Sequence, residues 1–125
     1  MNKIIYPELS YKIVGILYKV HGELGNRYQE KYYQRAVEIA FKKEKLSYQK
    51  EIAVNLEYDS ENIGKYFLDF LICDKIVLEL KTVNRFRRED IRQVLAYLKA
   101  AKKKLGILAN FKKDSLEYKR ILNSY

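Results

Sequence analysis

The sequence predicts a mixed α/β (α+β) domain, in which an antiparallel meander passes through a helical crossover into a further strand. Two observations predict it. Apolar residues recur at helical spacing twice before residue 46 and again after residue 88, with strand-length segments between and after them. The most apolar stretch, Tyr66 to Thr82, splits into two short runs around Cys73-Asp74-Lys75, the pattern of a β-hairpin. The order that follows is helix, helix, three strands, helix, strand, helix. Such an order builds a mixed four-stranded sheet flanked by helices.

Each element has its own signal. From Leu9 to Leu24, Ile13, Val14, Ile16, Leu17, Val20 and Leu24 form a helical stripe, and Gly25-Asn26 is a stop. A second helical pattern runs from about Arg27 to about Lys45, with Tyr33, Ala36, Val37, Ala40 and Phe41 on its buried side. Ser47 to Tyr58 alternates loosely, as a strand does, and Asp59-Ser60-Glu61-Asn62 is a turn. After the hairpin comes a basic loop, Asn84 to Arg88. A third helix spans Glu89 to Lys104 over Ile91, Val94, Leu95, Leu98 and Ala101. Leu105 to Phe111 is short and apolar, a buried strand. Ser115 to Leu122 is expected to close the chain as a short helix.

Composition narrows the class. The 125 residues suffice for a single domain, taken as 1–125, with a real core, and 48% hydrophobic content makes it globular. The net charge of +9 favours an anionic partner, of which nucleic acid is the commonest, although a lysine-rich solvated surface has the same balance. One cysteine excludes an intrachain disulfide, and one His with one Cys cannot build a structural zinc site. No secretory signal pattern and no apolar run of membrane-span length is seen, so a cytoplasmic protein without membrane contact is expected.

The hairpin holds charge inside its apolar runs: Asp69 in the first, Glu79 and Lys81 in the second. Ile76, Leu78 and Leu80 alternate with Val77, Glu79 and Lys81, so one face suits a core and the other carries the charges. Leu68, Phe70 and Ile72 are likewise the apolar alternates to Phe67, Asp69 and Leu71. If the turn centres on Asp74, with an odd loop or a compensating bulge, Asp69 lies opposite Glu79 and all three charges share a face. Two carboxylates set opposite each other need a cation between them, and a divalent metal is the simplest. The same residues also read as a salt-bridged strand edge, and a second Glu-x-Lys, Glu117 to Lys119, carries no such context. Glu30 has two readings: an acid favoured by the dipole of its helix, or a carboxylate aimed at Asp69 and Glu79. Gln93 and Tyr97, spaced i,i+4, read on spacing alone as a pair at the core margin.

Several motifs in order turn these residues into a family resemblance. Val20-His21-Gly22-Glu23-Leu24-Gly25 is followed by Arg27-Tyr28-Gln29-Glu30-Lys31-Tyr32-Tyr33, by Asp69 with Glu79-Leu80-Lys81, by Gln93-Val94-Leu95-Ala96-Tyr97 and by Asn110-Phe111. The chain thereby resembles the PD-(D/E)XK nuclease superfamily and, within it, the small GxxExxY proteins, with Arg27 replacing the usual first glycine. The resemblance implies a restriction-endonuclease-like core and a metal-dependent nuclease that hydrolyses DNA phosphodiester bonds, with RNA as the other possible substrate. It implies that Asp69, Glu79 and the Leu80 carbonyl bind Mg²⁺ or Mn²⁺, with Glu30 as a further ligand or water holder. Lys81 would orient or help deprotonate the attacking water, and Gln93 and Tyr97 would position the lysine or a phosphate. Arg85, Arg87, Arg88 and Arg92 would hold the nucleic-acid backbone without reading bases. The alternative is a nucleic-acid-binding module of the same fold that does not cleave. Oligomeric state stays open, a homodimer included.

Overall fold

The structure, a computed structural model, describes residues 4–123. Its elements are α1 (Pro7–Leu24), α2 (Glu30–Lys43), β1 (Tyr48–Tyr58), β2 (Glu61–Ile72), β3 (Ile76–Lys81), α3 (Arg88–Ala101), β4 (Leu105–Asn110) and β5 (Glu117–Leu122). The strands form one sheet in sequence order, antiparallel throughout except for the parallel β3–β4 pair. The helix α3 makes the crossover between those two strands, as parallel neighbours require. This is the mixed architecture expected, with one difference. The segment expected to end the chain as a helix is the strand β5, paired to β4 from Leu105↔Leu122 to Asn110↔Glu117. The reason is tertiary. All six residues of β4 are buried, so its free edge needs a partner, and a helix of so few residues has little stability of its own.

Two apolar clusters cover the two faces of the sheet. On one face α1 and α2 lay Ile13, Leu17, Tyr33, Val37 and Phe41 over Ile76, Leu78, Leu80, Ile107 and Phe111. On the other, α3 lays Val94, Tyr97 and Leu98 over Val77, Leu108 and Ile121. The approach of α3 is set by Gly106, where an added Cβ would stand 2.4 Å from a methyl of Val94 and 3.1 Å from one of Val77.

Both hairpins close through left-handed residue pairs, the geometry whose twist suits antiparallel strands. Asp59 and Ser60 have φ of 52° and 65°, and Cys73 and Asp74 have 53° and 57°. The second hairpin pairs Ile72 with Ile76, Leu71 with Val77 and Phe70 with Leu78. The loop is therefore the odd one, Cys73-Asp74-Lys75, and the register runs toward Asp69 opposite Glu79. No helix among the described residues is long and apolar enough to cross a membrane.

Candidate active site

The ladders on both sides of Asp69 give way at that residue. On the β1 side, Lys50 pairs with Phe70 and Ile52 with Leu68, while Glu51 between them is left-handed, with φ 54°. On the β3 side the pairing ends at Phe70↔Leu78. Side chains fill the gap. The Asp69 N–H donates to Glu79 Oε1 at 3.0 Å, and the Leu80 N–H donates to Asp69 Oδ2 at 2.7 Å. Each carboxylate thus takes a backbone donor from the other strand, and the two are interlocked where the strands part.

This break also corrects the expected alternation along β2. Leu68 packs on the α3 side, whereas Phe70 and Ile72 pack on the α1–α2 side. Asp69 is the residue at which the strand twists over. Its carboxylate lies against that of Glu79, while Leu80 N–H meets one oxygen and Gln34 of α2 meets the other at 2.8 Å.

The same amide nitrogen of Gln34 lies 3.4 Å from Glu30 Oε2. Glu30 therefore faces Asp69, and one residue spans both carboxylates. Sequence reasoning missed Gln34, although it sits one helical turn after Glu30. The start of α2 is anchored by Tyr33, whose hydroxyl donates to Gly25 O at 2.6 Å while its ring stacks on Phe111 at 4.5 Å. Tyr33 thus fixes the turn from which Glu30 projects. Glu30 also lies near the Thr82 backbone, which lowers its pKa against the push of burial.

Lys81 reaches Glu79 at 3.7 Å and Asp90 at 3.5 Å. Asp90, in the first turn of α3, is a second residue that the sequence did not single out. Its other oxygen accepts the Arg87 N–H at 2.9 Å, so one carboxylate both caps the helix and holds the lysine. Gln93 and Tyr97 have no hydrogen bond to Lys81. The Gln93 backbone carbonyl accepts from Tyr66 at 2.7 Å, and Tyr66 in turn feels the charge of Glu79. Tyr97 is buried in the α3-side cluster, and its charged neighbours are Lys103 and Asp74, at the hairpin-loop end of the sheet. Core packing accounts for its placement.

The basic loop after β3 is clamped by Asn110, which is fully buried. Asn110 accepts from Val83 N–H at 3.1 Å and donates to Val83 O at 2.8 Å, while the Phe111 N–H donates to Lys81 O at 2.9 Å. Arg85, Arg87, Arg88 and Arg92 are all exposed around this loop and the start of α3.

Burial dominates the electrostatics. It pushes the Glu79 carboxyl up to about 9, and the charge of Asp69 adds to the push. Asp69 is also raised by burial, although the Leu80 N–H and its other partners oppose this. Glu30 rises for the same two reasons, burial and Asp69. Burial alone would lower Lys81, but Glu79, Asp90 and Glu30 outweigh it and hold the ammonium above its ordinary value. The site is thus a crowd of carboxylates with one cation among them, and added positive charge would relieve it.

Among the described residues no three His, Cys, Asp or Glu side chains form a ready-made ion cage. Asp69 and Glu79 supply the hard oxygens. In a strand the carbonyl of a residue points to the same neighbour as its N–H, so Leu80 O is directed toward Asp69 as well. The donor set fits a divalent cation.

A mixed sheet sandwiched by helices, with an acidic pair and a lysine where two strands diverge, defines the PD-(D/E)XK nuclease fold. The chain belongs to the PD-(D/E)XK nuclease superfamily, whose family model matches residues 7–121. Members of this superfamily are generally nucleases, and they typically use divalent metal ions. No curated protein sequence matches the chain. Among solved structures it is similar to the crystal structure of SSO0001, with a TM-score of 0.58 at 19% identity over 77% of this chain. The chain spans about half the length of that protein, 51%, and at this identity the likeness speaks for the fold.

Proposed function

We propose that the protein is a divalent-metal-dependent nuclease that hydrolyses DNA phosphodiester bonds, of the GxxExxY kind on the strength of Glu30-x-x-Tyr33. The observation that carries this reading is the interlocked Asp69–Glu79 pair with Lys81 ion-paired beside it. Asp69, Glu79 and the Leu80 carbonyl would hold the ion, with Glu30 behind them. When bound, it supplies a water of lowered pKa and positive charge for the phosphoryl oxygens.

The chain's own groups do the rest. Burial pulls the Lys81 ammonium down, but Glu79, Asp90 and Glu30 hold it above its ordinary value. It is placed to donate hydrogen bonds to the attacking water and to a non-bridging phosphate oxygen. Asp90 and Glu79 keep it aimed. As the water oxygen bonds to phosphorus, the water releases a proton to solvent, the ester bond to the leaving oxygen breaks, and that oxygen takes up a proton from solvent. The exposed arginines from Arg85 to Arg92 hold flanking phosphates.

The test is cutting of supercoiled plasmid DNA and of a single-stranded oligonucleotide with Mg²⁺ or Mn²⁺. Wild type should cut, and chelation or Asp69→Ala should abolish cutting. Wild-type protein that binds DNA but cuts neither substrate with either ion would leave a binding module of the same fold.

A further inference from the structure

Tyr28, just before α2, and the first two turns of α2 present an exposed surface that touches the core only where Tyr28 packs edge to face on Tyr33 at 6.2 Å. Tyr28 and Tyr32 are half exposed, with their rings edge to face at 6.1 Å. Lys31 Nζ stands 5.3 Å and the Arg35 guanidinium 5.9 Å from the centre of the Tyr32 ring. Neither cation has a carboxylate within ion-pair distance among the described residues. Both also line a cleft of about 240 Å³ between α2 and β1–β2, whose wall includes Asp69. The surface therefore runs without a break into the candidate active site.

We propose that this face of α2 is the track on which a single-stranded nucleic acid reaches the carboxylates, with Tyr28 and Tyr32 stacking bases and Lys31 and Arg35 holding phosphates. Two features favour a single strand, and a third favours a phosphate backbone of either kind. Exposed rings can stack only on bases that are themselves unstacked, and a duplex does not offer them. The cleft is small even against ordinary ligand pockets of roughly 300–1,000 Å³, so it admits a strand segment and not a double helix. Its acidic wall residues are also largely engaged. Glu38 accepts from Tyr48 at 2.7 Å and from Lys50 at 3.1 Å, and Asp69 is held by Gln34 and the Leu80 N–H. Glu51 alone faces solvent on the outer wall. Lys31 and Arg35 thus meet an incoming phosphate with little local opposition.

The inference rests on the nuclease reading only for the direction of the track, so its test measures binding without cleavage. The probe is a fluorescein-labelled oligothymidylate of about 15 nucleotides, against a duplex of the same length, both in chelator. Fluorescence polarisation should show the single strand bound at least tenfold more tightly than the duplex. The double variant Tyr28→Ala/Tyr32→Ala should lose tenfold or more for the single strand, in line with about 1–3 kcal/mol per stacked base, and leave the salt slope unchanged. Lys31→Ala/Arg35→Ala should lower that slope by about 1.4 units, two phosphate contacts at about 0.7 each. All four side chains are exposed, and thermal melts matching wild type will show that the variants fold. Equal or tighter duplex binding, or full affinity in the tyrosine variant, overturns the proposal. Failure of the nuclease reading would appear separately, as absent hydrolysis by wild type with metal.

Discussion

Glu79 holds a proton more tightly in the folded protein than in the unfolded chain, where its carboxyl titrates near 4.5 instead of about 9. A raised acid pKa favours folding when the group is protonated, so this contribution is present at low pH and is lost as pH rises from about 4.5 to about 9. Without metal, the protein should melt at a lower temperature at pH 9 than at pH 6, and Glu79→Gln should flatten that slope. Glu38 works the other way. The Tyr48 hydroxyl draws its pKa down, so its contribution is lost only as pH falls below the ordinary carboxylate range. Added Mg²⁺ should raise the melting temperature more at pH 9 than at pH 6, because it competes with protons for the same oxygens. At Lys81 the roles separate. Lys81→Ala should keep Mg²⁺ affinity within a few-fold by calorimetry and lose cleavage, whereas Asp69→Ala should lose both. Metal binding and cutting at wild-type levels in Asp69→Ala would place the site elsewhere.

Among the elements, two contacts set where the site stands. Gly106 on β4 lets α3 press close enough for Asp90 to meet Lys81. Gly106→Ala should cost about 1–3 kcal/mol through overpacking against Val94 and Val77, read from a shifted denaturant midpoint. Asn110 clamps both backbone groups of Val83 and thereby the arginine loop. Removing its amide strands buried donors and acceptors, so Asn110→Ala should destabilise by about 3 kcal/mol. Activity in Asn110→Ala should fall further than the loss of folded protein explains, because the clamped Val83 is two residues from Lys81.

For the molecule as a whole, the +9 charge is the working quantity. Backbone binding through exposed arginines releases counterions, so affinity should fall steeply with salt. Arg87→Ala/Arg88→Ala should weaken binding equally for unrelated DNA sequences and reduce the salt slope by about two units. A flat salt dependence in wild type, or a loss confined to one sequence, would show that these arginines do not carry non-specific backbone binding.

The sequence by itself determined most of the elements and the identity of the charged hairpin residues. Periodicity marks α1, α2 and α3 because each buries one stripe. The Cys73-Asp74-Lys75 register was legible because a slip of one residue would have turned Ile76, Leu78 and Leu80 out of the core. Glu30 facing Asp69 was one of two readings open to the residues. Only the tertiary structure decided the rest. The strand character of β5 depends on the buried edge of β4, to which its own residues give no clue. The twist at Asp69 depends on Glu51, eighteen positions earlier, leaving the ladder. Gln34 and Asp90 enter the site because two helices from opposite faces of the sheet converge where β2 and β3 part. Such partners are set by packing between elements distant in the chain, and local propensity carries no record of it.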